Sequence, residues 1–164
     1  MPTDPQSLLT LGITSVLNII VVIFFCRTLS STLSLVKPEN RVLSITVIWL
    51  LLIPVLKVII NFFVVSGMSK SLNNELESRD FEIDEKPALI SGIVFAITSL
   101  VEICVSMVLA VLTLRGYKIP EHFLLPISFL GVVQFFFFVQ YWMKINWFKN
   151  ILEKDEDDEV EDGN

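Results

Sequence analysis

The stretch PALISGIVFAITSLVEICVSMVLAVLTL, residues 87–114, decides the fold, because its 28 residues include a single charged side chain, Glu102. A helix needs about 20 mostly apolar residues to cross the hydrocarbon layer of a membrane. This stretch exceeds that length, and the proline that opens it suits the first turn of a helix. The sequence therefore predicts a membrane-crossing helix over these residues.

Three further apolar stretches flank this one, at about residues 8–26, 42–65 and 122–143, and polar residues, glycine and proline separate them. The composition agrees, because 53% of the 164 residues are hydrophobic and a soluble domain this small would expose much of that surface. The sequence predicts an all-α fold, an integral membrane four-helix bundle over residues 1–150, with the lipid bilayer as its surroundings.

Two polar regions adjoin the predicted spans. Met68, Leu72 and Leu76 recur at helical spacing after the second span, which predicts an amphipathic extension towards Arg79 that lies on the membrane surface or docks a partner. The acidic residues 151–164 have too little apolar content to fold alone and are expected to form a disordered tail. Neither region is basic enough to suggest binding to nucleic acid.

Several motifs resemble a family of uncharacterised bacterial multi-pass membrane proteins. They are Asn40-Arg41 followed by WLLLIP at 49–54, FFVV at 62–65, SKSLNNELESR at 69–79 and YWMKINWFKN at 141–150. The resemblance covers about a third of the chain and implies four helices in the bacterial inner membrane. The resemblance implies no activity. It fails at Lys57, because the family pattern has an uncharged residue at that position.

Two charged residues fall inside predicted spans, where an isolated charge is costly. Lys57 lies just beyond the middle of the second span and Glu102 near the middle of the third. Adjacent antiparallel helices would bring the two residues to similar depth, so their charged ends could meet. One interpretation is a buried ion pair that fixes helix register. A second is a proton or ion relay. In a third, Lys57 reaches towards an interface and Glu102 pairs with a different subunit.

Three uncharged polar residues are predicted at comparable depth: Asn18 in the first helix, Asn61 one turn after Lys57 in the second and Gln134 in the fourth. Each needs a hydrogen-bond partner in lipid, either in a neighbouring helix or along a substrate path. Pro54 removes a backbone donor and is expected to bend the second helix just before Lys57. Such a bend could open a small polar cavity.

Small residues follow one face of the predicted third helix, and such faces let helix backbones approach closely in lipid. This predicted packing face consists of Ala88, Gly92, Ala96, Ser99, Ser106, Ala110 and Thr113. The third helix is therefore expected to be central in the bundle.

Motifs for catalysis or cofactor binding were sought as well. The single histidine, His122, stands at a span boundary, and the two cysteines, Cys26 and Cys104, lie in apolar runs. One histidine and two separate cysteines are too few for a metal site or a catalytic triad, so the sequence predicts no metal site, no cofactor and no enzyme.

Two functions remain. The first is a structural or accessory subunit that associates with itself or with a larger membrane complex. The alternative is a small transporter or channel that uses Lys57 and Glu102. With four spans, the loops carry five Lys and Arg on one side and six on the other, which leaves the orientation open.

Overall fold

The computed structural model describes residues 5–81, 86, 88–117, 120 and 123–162. This part of the chain is helical and contains no strand. Its elements are α1 (Pro5–Leu35), α2 (Ile45–Trp49), a 3₁₀ turn (Leu50–Leu52), α3 (Pro54–Ser78), α4 (Leu89–Leu114) and α5 (Leu124–Asp162). The first residues of the predicted third and fourth spans, Pro87 and His122, lie outside the described residues, as do residues 163 and 164.

Three helices of the described chain are long and apolar enough to cross a membrane: Gly12–Leu35, Leu89–Leu114 and Leu125–Asp155. They agree with the first, third and fourth predicted spans. The predicted bundle of four crossing helices is not confirmed, because the second predicted span, residues 42–65, is not one helix.

The chain breaks in the middle of that second span. Ile53 has extended backbone angles, φ −88° and ψ 109°, between the 3₁₀ turn and Pro54 at the start of α3. Proline has no N–H and disfavours helical angles in the residue before it, so α2 and α3 cannot join as one helix. The sequence predicted a bend at this proline, and the structure has a complete break.

The two sides of this break run antiparallel. The Val42 N–H donates to Ser71 Oγ at 2.8 Å, and the Lys37 N–H donates to Glu75 Oε2 at 2.8 Å. Residues before the break therefore meet late residues of α3, and the 3₁₀ turn packs on α3. Residues 42–78 form a helical hairpin, called the hairpin below, whose tip lies at Ile53.

Helices α1 and α3 end on the same side of the molecule. Arg79, directly after α3, donates to the Leu35 carbonyl at 3.4 Å and pairs with Asp155 of α5 at 2.7 Å. This side is called the closed end. Helix α4 starts near it, because Gly92 faces Val65 of α3 and Tyr141 of α5, and it ends at the opposite side, called the open end.

Burial differs sharply between the two ends. The buried apolar residues near the closed end form a cluster that includes Leu29, Leu33, Val36, Met68, Leu72, Leu76, Ile145, Phe148 and Leu152. Large apolar residues towards the open end are exposed, among them Leu9, Ile13, Met107, Val108, Leu114, Leu125, Phe129 and Val132. The helices are thus tightly packed over one half of their length and open over the other.

The two predicted polar regions differ from expectation. Helix α3 does continue to Ser78, but its stripe of Met68, Leu72 and Leu76 is buried within this chain rather than left for a membrane surface or partner. The predicted disordered tail from residue 151 is instead a continuation of α5, which ends at Asp162. Leu152 is fully buried, and this contact anchors the continued helix.

Candidate functional site

A cavity of about 370 Å³ lies between the helices, roughly halfway along α4. Five polar residues from α1, α3, α4 and α5 line it together: Asn18, Lys57, Asn61, Glu102 and Gln134. These are the charged pair and all three uncharged polar residues that the sequence places within the bundle. Thr14 adds a further hydroxyl to the lining, whose remaining residues are apolar apart from Gly131.

The break in the hairpin brings Lys57 to the cavity. Its backbone N–H closes the first turn of α3 by donating to the Ile53 carbonyl at 2.8 Å. Asn61 follows one turn later on the same face, and Leu51 of the 3₁₀ turn lines the cavity on the other side of the break. The irregular backbone at the tip of the hairpin therefore lies next to the polar groups.

Aromatic rings close the cavity towards the closed end. The ring of Phe25 lies 5.0 Å from that of Phe138 and 6.5 Å from that of Phe95, and all three rings line the cavity. Behind them, Trp142 Nε1 donates to Thr28 Oγ1 at 3.0 Å. Burial along α1 decreases from Phe25 to the exposed Asn18 and Thr14, so the cavity is most accessible on the side of the open end.

Lys57 and Glu102 share the cavity without a direct ion pair. Among the described residues, neither side chain has a partner of opposite charge within 4.0 Å, although the two charges attract each other. Both are half-buried. The ion-pair interpretation of the sequence therefore does not describe this structure, in which the two charges face a common space.

Two amide atoms in the cavity lining are also without partners. Within the described part of the chain, neither Asn61 Nδ2 nor Gln134 Oε1 makes a hydrogen bond, and Asn61 is only 2% exposed. A buried polar atom without a partner costs about 1–3 kcal/mol. Both atoms are covered by surrounding protein atoms, so neither is accessible from the cavity.

The predicted packing face of α4 is divided between the two ends. Ala88, Gly92, Ala96 and Ser99 are buried. A Cβ atom on Gly92 would lie 2.5 Å from Val65 Cγ1 and 2.8 Å from Tyr141 Cε2, so this glycine permits a close approach. Ser106, Ala110 and Thr113 are exposed, because the helices separate towards the open end.

Sequence reasoning missed a second polar group, which lies at the closed end and is called the polar anchor below. Its centre is the fully buried carboxylate of Glu75, which accepts hydrogen bonds from the Lys37 N–H at 2.8 Å and Asn40 Nδ2 at 2.8 Å. Arg79 Nε donates to it at 2.9 Å, while Arg79 Nη1 reaches Asp155 at 2.7 Å. The anchor joins the loop after α1 to α3 and α5.

The polar anchor shifts the pKa values of its two central groups. Burial alone would raise the pKa of Glu75, but hydrogen bonds from Asn40, the Lys37 N–H and Arg79 outweigh it and hold this pKa below its usual value. Burial alone would likewise lower the pKa of Arg79, and the two carboxylates raise it instead. Both groups are therefore charged at neutral pH. The sequence signal was an acid and a base four residues apart beside an apolar stripe.

Within the described residues, no group of three or more His, Cys, Asp or Glu side chains is placed to hold a metal ion. No protein-family model, curated protein or solved structure matches the chain. The resemblance to bacterial membrane proteins therefore stays a prediction.

Proposed function

We propose that this chain is a multi-pass membrane protein that crosses the bilayer three times and holds a small polar solute or ion in the cavity, as a transporter or channel does. The crossing helices are α1, α4 and α5. The hairpin enters the bilayer from the closed end and returns to the same side, with its tip at Ile53. The motif resemblance supports a bacterial cell membrane as its location.

The depth of the hairpin follows from the helices beside it. A hydrocarbon layer of about 30 Å takes about 20 residues of α5, which is apolar from its start to the aromatic and basic residues beginning at Tyr141. Gln134 then lies near the midplane, and Lys57 lies at its level because both line the cavity. Non-helical backbone is tolerated at this depth only where protein or a polar cavity surrounds it. At the tip, Leu51 is buried, whereas Ile53 is 44% exposed.

Burial also supports this placement of the lipid. The apolar side chains exposed towards the open end would be covered by lipid tails, so they need no protein partner. The fully buried cluster near the closed end includes residues such as Leu33, Leu76 and Leu152, which lie where the helices leave the lipid and meet water. There the hydrophobic effect drives the helices together.

With three crossings, the distribution of basic residues favours one orientation. Nine of the twelve Lys and Arg residues then lie at or beyond the closed end: Arg27, Lys37, Arg41, Lys70, Arg79, Lys86, Lys144, Lys149 and Lys154. Only Arg115 and Lys118 belong to the connection at the open end. Basic residues are retained on the cytoplasmic side, so we expect the closed end in the cytoplasm.

Labelling of single cysteines with a membrane-impermeant reagent tests the hairpin. Glu39→Cys and Lys70→Cys, at exposed positions in a cysteine-free background, are expected to react from the same side, and Tyr117→Cys from the opposite side. With four crossings, residues 39 and 70 would react from opposite sides. That result would contradict the hairpin.

The observation that supports transport is the single cavity shared by Lys57, Glu102 and three amide side chains. Charged and polar groups inside a membrane are costly and commonly mark solute or proton paths. Broken helices with polar cavities at the midplane are typical of transporters. We propose no enzymatic reaction for the residues that line the cavity.

Proton flux in liposomes tests the role of the cavity. Reconstituted protein is expected to dissipate a pH gradient reported by an enclosed dye, and Glu102→Gln is expected to abolish this flux. Glu153→Gln, which alters the carboxylate of a partly exposed ion pair with Lys149 outside the cavity, is the matched control and should leave the flux unchanged. Equal flux in both variants, or none in the wild-type protein, would contradict a proton path through Glu102.

An accessory subunit is the second candidate, supported by an apolar groove of about 890 Å³ between α4 and α5 at the open end. Val108 and Phe129, both more than half exposed, belong to its lining. A helix of another copy or of a partner membrane protein would fit such a surface. Crosslinking in native lipid tests this function, and recovery of the monomer alone would count against it.

A further inference from the structure

The apolar groove between α4 and α5 at the open end has the length of one lipid leaflet. Its lining starts at Cys104 of α4 and Val133 of α5, beside Gln134 near the midplane, and reaches Tyr117 beyond the end of α4. Between Cys104 and Leu114 the helix rises about 15 Å, which is half of a hydrocarbon layer of about 30 Å. In the proposed placement, the groove therefore follows one leaflet from the midplane to the membrane surface.

The groove is lined by bulky apolar side chains rather than by small ones. Val108, Leu112 and Phe129 are typical of the lining, which contains no Gly, Ala, Ser or Thr among the described residues. Contacts between helices in lipid are enriched in such small residues, because these let two backbones approach closely. The small residues Ser106 and Ala110 of α4 lie outside the lining. A flexible hydrocarbon chain, which needs no close approach of backbones, therefore fits this groove better than a partner helix does.

A basic residue lies where the groove meets the surface at the open end. Arg115 follows α4 directly, is exposed and has no ion pair within 4.0 Å in the described chain. Two residues later, Tyr117 lines the groove and is 65% exposed. Aromatic residues at such a position lie at the level of the lipid head groups, where a basic residue attracts an anionic lipid. The groove thus combines apolar surface along one leaflet with a positive charge at the level of the lipid phosphates.

We propose that the groove binds one anionic phospholipid of the leaflet at the open end, with an acyl chain between α4 and α5 and its phosphate at Arg115. This inference goes beyond the proposed transport function. It rests on the proposed membrane placement of α4 and α5 but not on the cavity, because no described residue lines both. The competing occupant is a helix of another copy or of a partner protein, as an accessory subunit would require.

Native mass spectrometry of the full chain in mild detergent tests the charge of the lipid. The probes are phosphatidylglycerol, which is anionic, and zwitterionic phosphatidylcholine with the same acyl chains. The protein is expected to retain one phosphatidylglycerol molecule in preference, and Arg115→Gln should lower this preference about fivefold. Lys70→Gln, which removes an exposed charge at the closed end, is the matched control and should leave the preference unchanged. Equal retention of both lipids by the wild-type protein, or an unchanged preference in Arg115→Gln, would overturn the proposal.

A bulky substitution inside the groove tests the position of the acyl chain. Val108→Trp introduces a large ring among the lining residues and should prevent retention of either lipid. Met107→Trp adds the same ring at a position that is 66% exposed and outside the lining, so it is the matched control. Equal retention by the two variants would overturn the groove as the binding site. A lipid-free dimer that Val108→Cys links through a disulfide would assign the groove to a second copy and overturn the proposal as well.

The flux experiment separates this inference from the proposed function. Glu102→Gln lies outside the groove and should retain the lipid as the wild-type protein does. Lipid retention without any proton flux would overturn transport and keep the lipid site. Proton flux without preferential retention of phosphatidylglycerol would overturn the lipid site alone.

Discussion

Replacing Arg79 with methionine tests whether the polar anchor holds the closed end together. The arginine side chain is 8% exposed and lies between Glu75 Oε1 at 2.9 Å and Asp155 Oδ2 at 2.7 Å. Methionine keeps much of the length and the apolar contacts of this side chain but cannot donate a hydrogen bond. The carboxylate of Glu75, which is 0% exposed, would then remain buried without a cation.

The size of the effect follows from what remains around that carboxylate. Removing one partner of a buried ion pair typically destabilises a protein by about 3–5 kcal/mol. Glu75 keeps its hydrogen bonds from the Lys37 N–H and Asn40, so we expect the lower value, about 3 kcal/mol. For a chain of this length, that loss lowers the unfolding midpoint by about 6–12 °C.

Thermal unfolding of the purified protein in mild detergent, followed by circular dichroism, measures this change. Lys149→Met is the matched control, since it removes a partly exposed i,i+4 ion pair with Glu153, and helix-surface pairs of this kind are worth only about 0.3–0.5 kcal/mol. Its midpoint should change by no more than about 2 °C. Equal midpoints for the two variants would refute the argument that the anchor stabilises the closed end.

Two further predictions concern the pH dependence of stability and the close contact at Gly92. Because the pKa of Glu75 is lowered by folding, its ionised form stabilises the protein above the unfolded value of about 4.5, and this contribution is lost as the pH falls through the lower, folded value. The difference in midpoint between wild-type protein and Glu75→Gln should therefore shrink on acidification below pH 4.5, and a constant difference would contradict the shift. Gly92→Ala should destabilise the fold by about 1–3 kcal/mol because its Cβ would collide with Val65 and Tyr141. Gly12→Ala, with nothing within 4 Å of its Cβ, is the control, and equal midpoints would contradict the close contact.

The sequence alone predicts the helices well and the path of the chain poorly. Apolar length identifies α1, α4 and α5, since a run of about 20 apolar residues has few alternatives to a membrane helix. It fails for residues 42–65, because the helical hairpin found there contains as many apolar residues as a crossing helix. The proline at position 54 marked the place of the break but not its extent.

The cavity residues could be predicted because charge in an apolar run is conspicuous. Lys57 and Glu102 were identified in this way, and so were the three amides that share their cavity. Glu75 and Arg79 were not, because an acid and a base in a polar stretch usually face water. The ion pair between Arg79 and Asp155 shows that α5 packs over this stretch and shields it from water.

In the proposed topology, the break at Ile53 also determines how much of the described chain each compartment encounters. With an odd number of crossings, the loop after α1, the end of α3 and the long continuation of α5 all project into one compartment. Of the described residues, few beyond the start of α1 and the connection between α4 and α5 lie on the other side in the proposed topology. In the proposed topology, a soluble protein approaching from that second side would contact few of the described residues, so we expect recognition by soluble proteins to occur mainly at the closed end.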